Sequence, residues 1–105
     1  MFVEVVCPEE SCFSGEATMV ISRTPNGEIG ILEGHEPTVA TLQPGGLTIE
    51  HDNQRTPFGI SGGILQITGE KVIVLAELIE KVDGDHEKAI EVGQGLAKQA
   101  FTTEE

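Results

Sequence analysis

Apolar and polar residues alternate along most of the chain in short runs cut by glycine and proline. Segment 2–7 (Phe-Val-Glu-Val-Val-Cys) is rich in β-branched residues and predicts a strand. Pro8-Glu9-Glu10-Ser11 predicts a turn, and 12–22 a second, longer strand that pairs with the first as a hairpin, with room for a break at Ser14-Gly15. Pro25-Asn26-Gly27 is a strong turn signal, followed by a short strand over 28–32 and a loop bracketed by Gly34 and Pro37. Further strands are predicted over 38–42, 47–51, 56–61 and 64–68. In 47–51, Leu47, Ile49 and His51 alternate with Thr48 and Glu50, which places one face in a core and one in water. Segment 71–82 opens as Lys71-Val72-Ile73-Val74-Leu75-Ala76. Both alternating sets are apolar here, which predicts cover on both faces, by another sheet and by a helix or partner. Its second half, 77–82, can bend into a separate strand.

The pattern changes at Asp83-Gly84-Asp85. Asp85 is suited to cap a helix, and Glu87 to the positive end of the helix dipole. Ala89, Val92, Leu96 and Ala100 then fall on one helical stripe, interrupted by Gly93 and Gly95, each of which weakens a helix by about 1 kcal/mol relative to Ala. The tail from Thr102 to Glu105 is expected to fray. The count is nine or ten short strands and one modest C-terminal helix, and Gly/Pro-punctuated strands in such a run predict a sandwich or barrel.

Composition sharpens this picture. The 105 residues are one domain's worth, and a chain this size buries roughly two-thirds of the surface its unfolded form exposes. With no Trp, no Tyr and four Phe, the core must be aliphatic. The formal net charge is −12, and the six Lys and Arg never cluster. A phosphate backbone needs a basic patch, so nucleic acid is excluded as a partner. An anionic membrane surface is excluded on the same ground. No signal peptide or membrane-length apolar run is read from the sequence, so any membrane contact is expected to come through a complex. Cys7 and Cys12 are expected to be two reduced thiols at neighbouring strand ends, with a disulfide across the hairpin as the alternative. Two thiols alone do not make a metal site.

Candidate chemistry is thin. His35, His51 and His86 are the available bases, and none stands at a spacing that brings it to a hydroxyl or thiol; each reads as a surface or turn residue. Ser61-Gly62-Gly63 lacks the Lys and glycine spacing of a phosphate loop and reads as a bulge or a close backbone approach. Glu28, Glu33 and Glu36 lie close together in a chain rich in glutamate, which gives that proximity little weight. No catalytic set, metal site or cofactor is predicted. The profile is that of a binding or assembly module.

One stretch goes further. Gly27-Glu28-Ile29-Gly30-Ile31-Leu32-Glu33-Gly34-His35-Glu36-Pro37 resembles the G-E-x-G-I-x-x-G-H-x-P signature of the ATP synthase ε subunit family. Phe13-Ser14-Gly15-Glu16-Ala17, Leu42-Gln43-Pro44-Gly45, Ser61-Gly62-Gly63-Ile64-Leu65 and Val72-Ile73-Val74-Leu75-Ala76 resemble further family segments, in order, across 2–82. The resemblance implies a mainly β protein: a ten-stranded sandwich of two five-stranded sheets over 1–83, then a short C-terminal helix and tail over 84–105. It implies a non-catalytic rotor subunit of a proton-translocating ATP synthase, peripheral on the cytoplasmic face of the energy-transducing plasma membrane. Its partners would be the γ subunit, the c-ring and, at the top of the stalk, the α/β head. By residue match, Glu28 and His35 would make the c-ring or γ contact, with Ile29, Gly30, Ile31 and Gly34 shaping the loop. A free-standing regulatory or ligand-binding sandwich outside the complex is the alternative.

The resemblance departs at the C-terminal end. Many relatives carry a second helix and an [IL]-D-x-x-R-A motif for ATP. Here Gly84-Asp85-His86-Glu87-Lys88-Ala89 keeps Asp85 and places Lys88 where the motif has Arg, losing the planar fork that grips phosphate in two places. ATP binding and inhibition by an extended helix are therefore not expected.

Overall fold

The computed structural model describes residues 1–8 and 10–102, with side chains at 10 and 100–102 left aside. Ten strands form two five-stranded sheets, and one helix follows. The strands are β1 (Phe2–Cys7), β2 (Glu10–Glu16), β3 (Met19–Thr24), β4 (Gly27–Leu32), β5 (Thr38–Leu42), β6 (Gly45–His51), β7 (Gln54–Ile60), β8 (Gly63–Thr68), β9 (Lys71–Ala76) and β10 (Ile79–Lys81). The helix, α1, spans His86–Thr102. The first sheet has the order β2-β1-β9-β8-β5 and the second β10-β7-β6-β3-β4. Pairing is antiparallel except between β1 and β9, which run parallel with Val3 beside Val72 and Val5 beside Val74. The core between the sheets is aliphatic, as the composition requires: Val3, Val5, Val20, Ile31, Leu47, Ile60, Leu65, Val72 and Val74 are all fully buried.

Turn chemistry sets the register. Asp52 and Asn53 both have positive φ, 52° and 64°, and close β6 onto β7 in a two-residue hairpin whose twist matches the strands. That hairpin places Gly46 opposite Gly59.

Four sequence expectations need correction. The strand expected over 12–22 is two strands in different sheets. The chain changes sheet at Ala17-Thr18, not at Ser14-Gly15. Ala17 exchanges backbone hydrogen bonds with Met1, and the Thr18 N–H and hydroxyl both donate to the Glu50 carbonyl. Cys7 and Cys12 are joined in a disulfide across the β1–β2 hairpin, with Cα atoms 6.3 Å apart, so the thiols are not free. β9 is covered on one face only. Val72, Val74 and Ala76 are buried, whereas Leu75 is 45% exposed. The helix lies on the second sheet, against β6 and β7, so of the two covers expected for the outer face of β9 only a partner is left.

The reason for that choice is glycine. On the outer face of β6 and β7, Gly46 and Gly59 leave a bare strip. A Cβ at Gly59 would stand 2.6 Å from the Gly93 nitrogen and 2.7 Å from Val92 Cγ1. A Cβ at Gly93 would stand 2.6 Å from the Ile60 carbonyl oxygen and closer still to that of Gly45. Helix and sheet meet backbone to backbone, with Ala89 fully buried between them. Ala100, the last residue of the predicted stripe, is outside the described side chains, as is most of the predicted tail.

Candidate functional site

The loop that carries the signature grows from the edge of the second sheet. Thr24 Oγ1 caps the β3–β4 turn, accepting the Asn26 N–H at 3.2 Å and donating to the Gly27 carbonyl at 3.1 Å. Gly27 supplies the positive φ of 120°. Along β4 the side chains then alternate. Ile29 and Ile31 point into the core and anchor the strand, while Glu28, Gly30 and Leu32 point outward. Gly34, with φ 89°, turns the chain, and the His35 N–H donates back to the Leu32 carbonyl at 3.2 Å. His35 Nδ1 lies 2.9 Å from the Glu36 carbonyl oxygen, so that nitrogen carries the proton and the ring is tied to its own loop.

Glu28 has a partner that sequence spacing did not suggest. Its Oε2 is 2.6 Å from His86 Nε2, and His86 Nδ1 is 2.6 Å from Thr48 Oγ1. His86 is therefore no surface histidine: its side chain is 13% exposed and it does meet a hydroxyl. A carboxylate accepts, so Nε2 donates to Glu28, and in the neutral ring Nδ1 then accepts from the Thr48 hydroxyl. Hydroxyl, imidazole and carboxylate stand in the order of a nucleophilic triad. Thr48 is fully buried beneath the helix, however, and no substrate carbonyl reaches it. The arrangement is structural. The signal available in the sequence was the place of His86, immediately after the capping Asp85, which points its ring down onto whatever the helix covers.

Asp85 and Lys88 are spent on the helix itself. Asp85 Oδ1 accepts the Lys88 backbone N–H at 2.9 Å, an N-cap bond, and Lys88 Nζ lies 3.3 Å from Glu91 Oε1. His51 faces Asp52 at 3.3 Å. Among the described residues, no cluster of three or more His, Cys, Asp or Glu is placed to hold a metal ion. Ser61-Gly62-Gly63 proves to be a close backbone approach: Gly62 has φ 138°, and a Cβ at Gly63 would collide with the Leu75 carbonyl oxygen.

A second surface lies on the outer face of the first sheet. Val39 on β5 is 73% exposed, and Ile64 and Leu75, directly opposite each other on β8 and β9, are about half exposed. Beside them opens a cleft of about 760 Å³ lined by Val6, Cys7, Pro8, Leu42, Ile64 and Leu75, among others. No helix of the described residues is long and apolar enough to cross a membrane.

The described residues thus form a two-sheet sandwich with an open apolar face on β5, β8 and β9 and a carboxylate-bearing edge at β4. The family described as ATP synthase, Delta/Epsilon chain, beta-sandwich domain matches residues 1–82, and the chain belongs to that family. It is 34% identical over 98 residues to the ATP synthase epsilon chain of Chloroflexus aurantiacus, covering 93% of this chain and 66% of that one. It is 36% identical to the epsilon chain of Acinetobacter baylyi over 105 residues, covering 99% and 76%. Among solved structures it resembles a chain of the Euglena gracilis mitochondrial ATP synthase (OSCP/F1/c-ring, rotational state 1), at 30% identity and TM-score 0.73, over 82% of this chain and 56% of that one. A chain of the Tetrahymena thermophila mitochondrial ATP synthase central stalk and c-ring shares the fold, with TM-score 0.67 at 16% identity, over 97% and 89%. The chain thus spans a little under two-thirds of the length of the Chloroflexus relative.

Proposed function

We propose that the chain is a non-catalytic rotor subunit of a proton-translocating ATP synthase, seated between the γ subunit and the c-ring and peripheral to the membrane on its cytoplasmic face. The observation that carries this reading is the open apolar face on β5, β8 and β9. On a chain of net charge −12, exposed Val39, Ile64 and Leu75 beside an open cleft mark a protein partner rather than bulk solvent. The relatives are epsilon chains, and the Euglena gracilis structure at 30% identity contains F1 and the c-ring. We assign the apolar face to γ. We assign the edge of β4, with Glu28 outward and the loop through Gly34 and His35, to a basic group on the c-ring, with Ile29, Gly30 and Ile31 shaping the strand that presents it.

Two variants test the two contacts separately. Ile64→Asp with Leu75→Asp puts charge on side chains already about half exposed, so the sandwich should stay folded and lose co-purification with the cognate γ subunit. Glu28→Lys should leave γ binding intact and lower proton-driven ATP synthesis in reconstituted vesicles relative to ATP hydrolysis. Undiminished γ binding by the first variant would remove the apolar face from the interface. Full coupling in the second would remove Glu28.

A further inference from the structure

We infer that His86 is the positioning residue of the Glu28 contact: through it, the docked helix sets the carboxylate that the sandwich offers its partner. This rests on the proposed role of Glu28. Glu28 stands on an edge strand, its side chain 41% exposed and long enough to take several rotamers. A carboxylate that must be immobilised on binding gives up part of the contact energy to that ordering.

The structure does the ordering beforehand. Thr48 is fully buried and β-branched, so its hydroxyl is fixed from behind. That hydroxyl holds His86 Nδ1 at 2.6 Å, which turns Nε2 outward onto Glu28 Oε2, also at 2.6 Å. Gly46 makes room for the ring, since a Cβ there would lie 2.9 Å from His86 Cε1. Each polar atom of the chain hydroxyl–imidazole–carboxylate is satisfied in one tautomer. The imidazole engages Oε2 and leaves Oε1 with its lone pairs for an ammonium or guanidinium of the partner. Three elements, β6, α1 and β4, are thereby joined at one point, and the two ends of the His86–Glu28 bond are 58 residues apart in sequence. Helix docking and partner contact are consequently linked, and each favours the other by the same factor.

The test exploits the two ring nitrogens. His86→Gln keeps an N–H donor near the Nε2 position and gives up the Thr48 bond. His86→Asn keeps a group near the Nδ1 position, on Thr48, and cannot reach Glu28. Each full-length variant, with Glu28→Ala, is titrated against a cognate γ–c-ring subcomplex in nanodiscs, while hydrogen exchange over 86–99 reports whether the helix stays docked. The expected result for His86→Gln, which keeps the donor to Glu28 without its anchor on Thr48, is a loss of affinity smaller than that of His86→Asn. For His86→Asn, affinity falls about three- to tenfold, the range of one side chain left to be immobilised on binding, with helix protection retained. If His86→Asn binds as tightly as wild type while Glu28→Ala is weakened, the Glu28 contact stands and the positioning role is overturned. Equal losses in the Gln and Asn variants overturn it too. If Glu28→Ala itself binds as wild type, the c-ring contact assigned to Glu28 fails, and this inference with it.

Discussion

Gly93→Ala and Gly95→Ala are the same substitution on the same helix, two residues apart, and the structure gives them opposite signs. Gly95 is exposed and a Cβ there meets nothing within 4 Å. Its replacement gains helix propensity, about 1 kcal/mol, and removes freedom from the unfolded chain. Gly93 gains the same propensity, but its Cβ would enter the backbone of β6 and β7. It would lie 2.6 Å from the Ile60 carbonyl oxygen and 2.7 Å from the Gly45 carbonyl carbon. The Gly45 carbonyl oxygen would be closer still, and ordinary contact begins near 3.4 Å, so the helix must lift by more than an ångström. Backbone cannot rotate aside as a flexible side chain does. Lifting also loosens Ala89, which is fully buried under the same helix. Overpacking of this kind costs about 1–3 kcal/mol, and the widened gap weakens the dispersion attraction between the facing surfaces.

The net expectation is a gain of up to about 1 kcal/mol for Gly95→Ala and a loss of up to about 2 kcal/mol for Gly93→Ala once propensity is set against overpacking. In a domain of this size 1 kcal/mol moves the melting temperature by about 4–8 °C, so the pair should separate clearly by thermal and urea unfolding. Hydrogen exchange over 86–99 should show faster opening only in Gly93→Ala. Equal stabilisation by both substitutions would mean that the helix does not lie on the glycine strip, and the account of its docking would fail.

Two other outcomes follow from the fold. The Cys7–Cys12 bond closes a short loop, so replacing both by Ser should cost about 2 kcal/mol by the chain-entropy estimate; thiol titration of the denatured, unreduced protein should find no free thiol, and two would contradict the bond. Ser22 is fully buried, and its hydroxyl has no hydrogen-bond partner among the described residues. Ser22→Ala should leave stability unchanged or raise it by up to about 1 kcal/mol, and a loss larger than that in urea unfolding would reveal a partner for the hydroxyl.

What was legible in the sequence is what local chemistry decides. The turn at Pro25-Asn26-Gly27 and the cap at Asp85 each depend on a few neighbouring residues, and each stands in the structure; the wet face expected for Thr48 and Glu50 does not, because the helix buries Thr48 completely and leaves Glu50 half-buried, while His51 is exposed. The change of sheet at Ala17-Thr18 was not legible, because neither residue breaks a strand; the turn is imposed by hydrogen bonds to Met1 and Glu50 from elsewhere. Reduced thiols are the expectation from the redox habits of the cytosol, which say nothing about whether a hairpin brings two sulfurs together. The Thr48–His86–Glu28 contact joins three segments distant in sequence, and no spacing rule reaches that far. One missed feature was within reach. Gly46 and Gly59 are equidistant from the Asp52-Asn53 turn, so a two-residue hairpin must set them side by side and leave a bare strip on the sheet.

That strip changes what the helix is. Taken alone, the 17 residues of α1 are a poor helix, with Gly93 and Gly95 in the interior. Isolated helices of this length are marginal even in alanine-rich sequences. On the sheet, Gly93 is the residue that lets α1 approach, and Ala89 and Val92 complete the contact. A glycine that weakens the helix intrinsically is thus the one that permits its burial. Forming the helix and docking it become a single event. His86 stands at the first turn of that helix, so the orientation of Glu28 depends on the same event. A substitution on the buried side of α1, far from Glu28, should therefore be felt at the β4 edge, whereas one at exposed Gly95 should not.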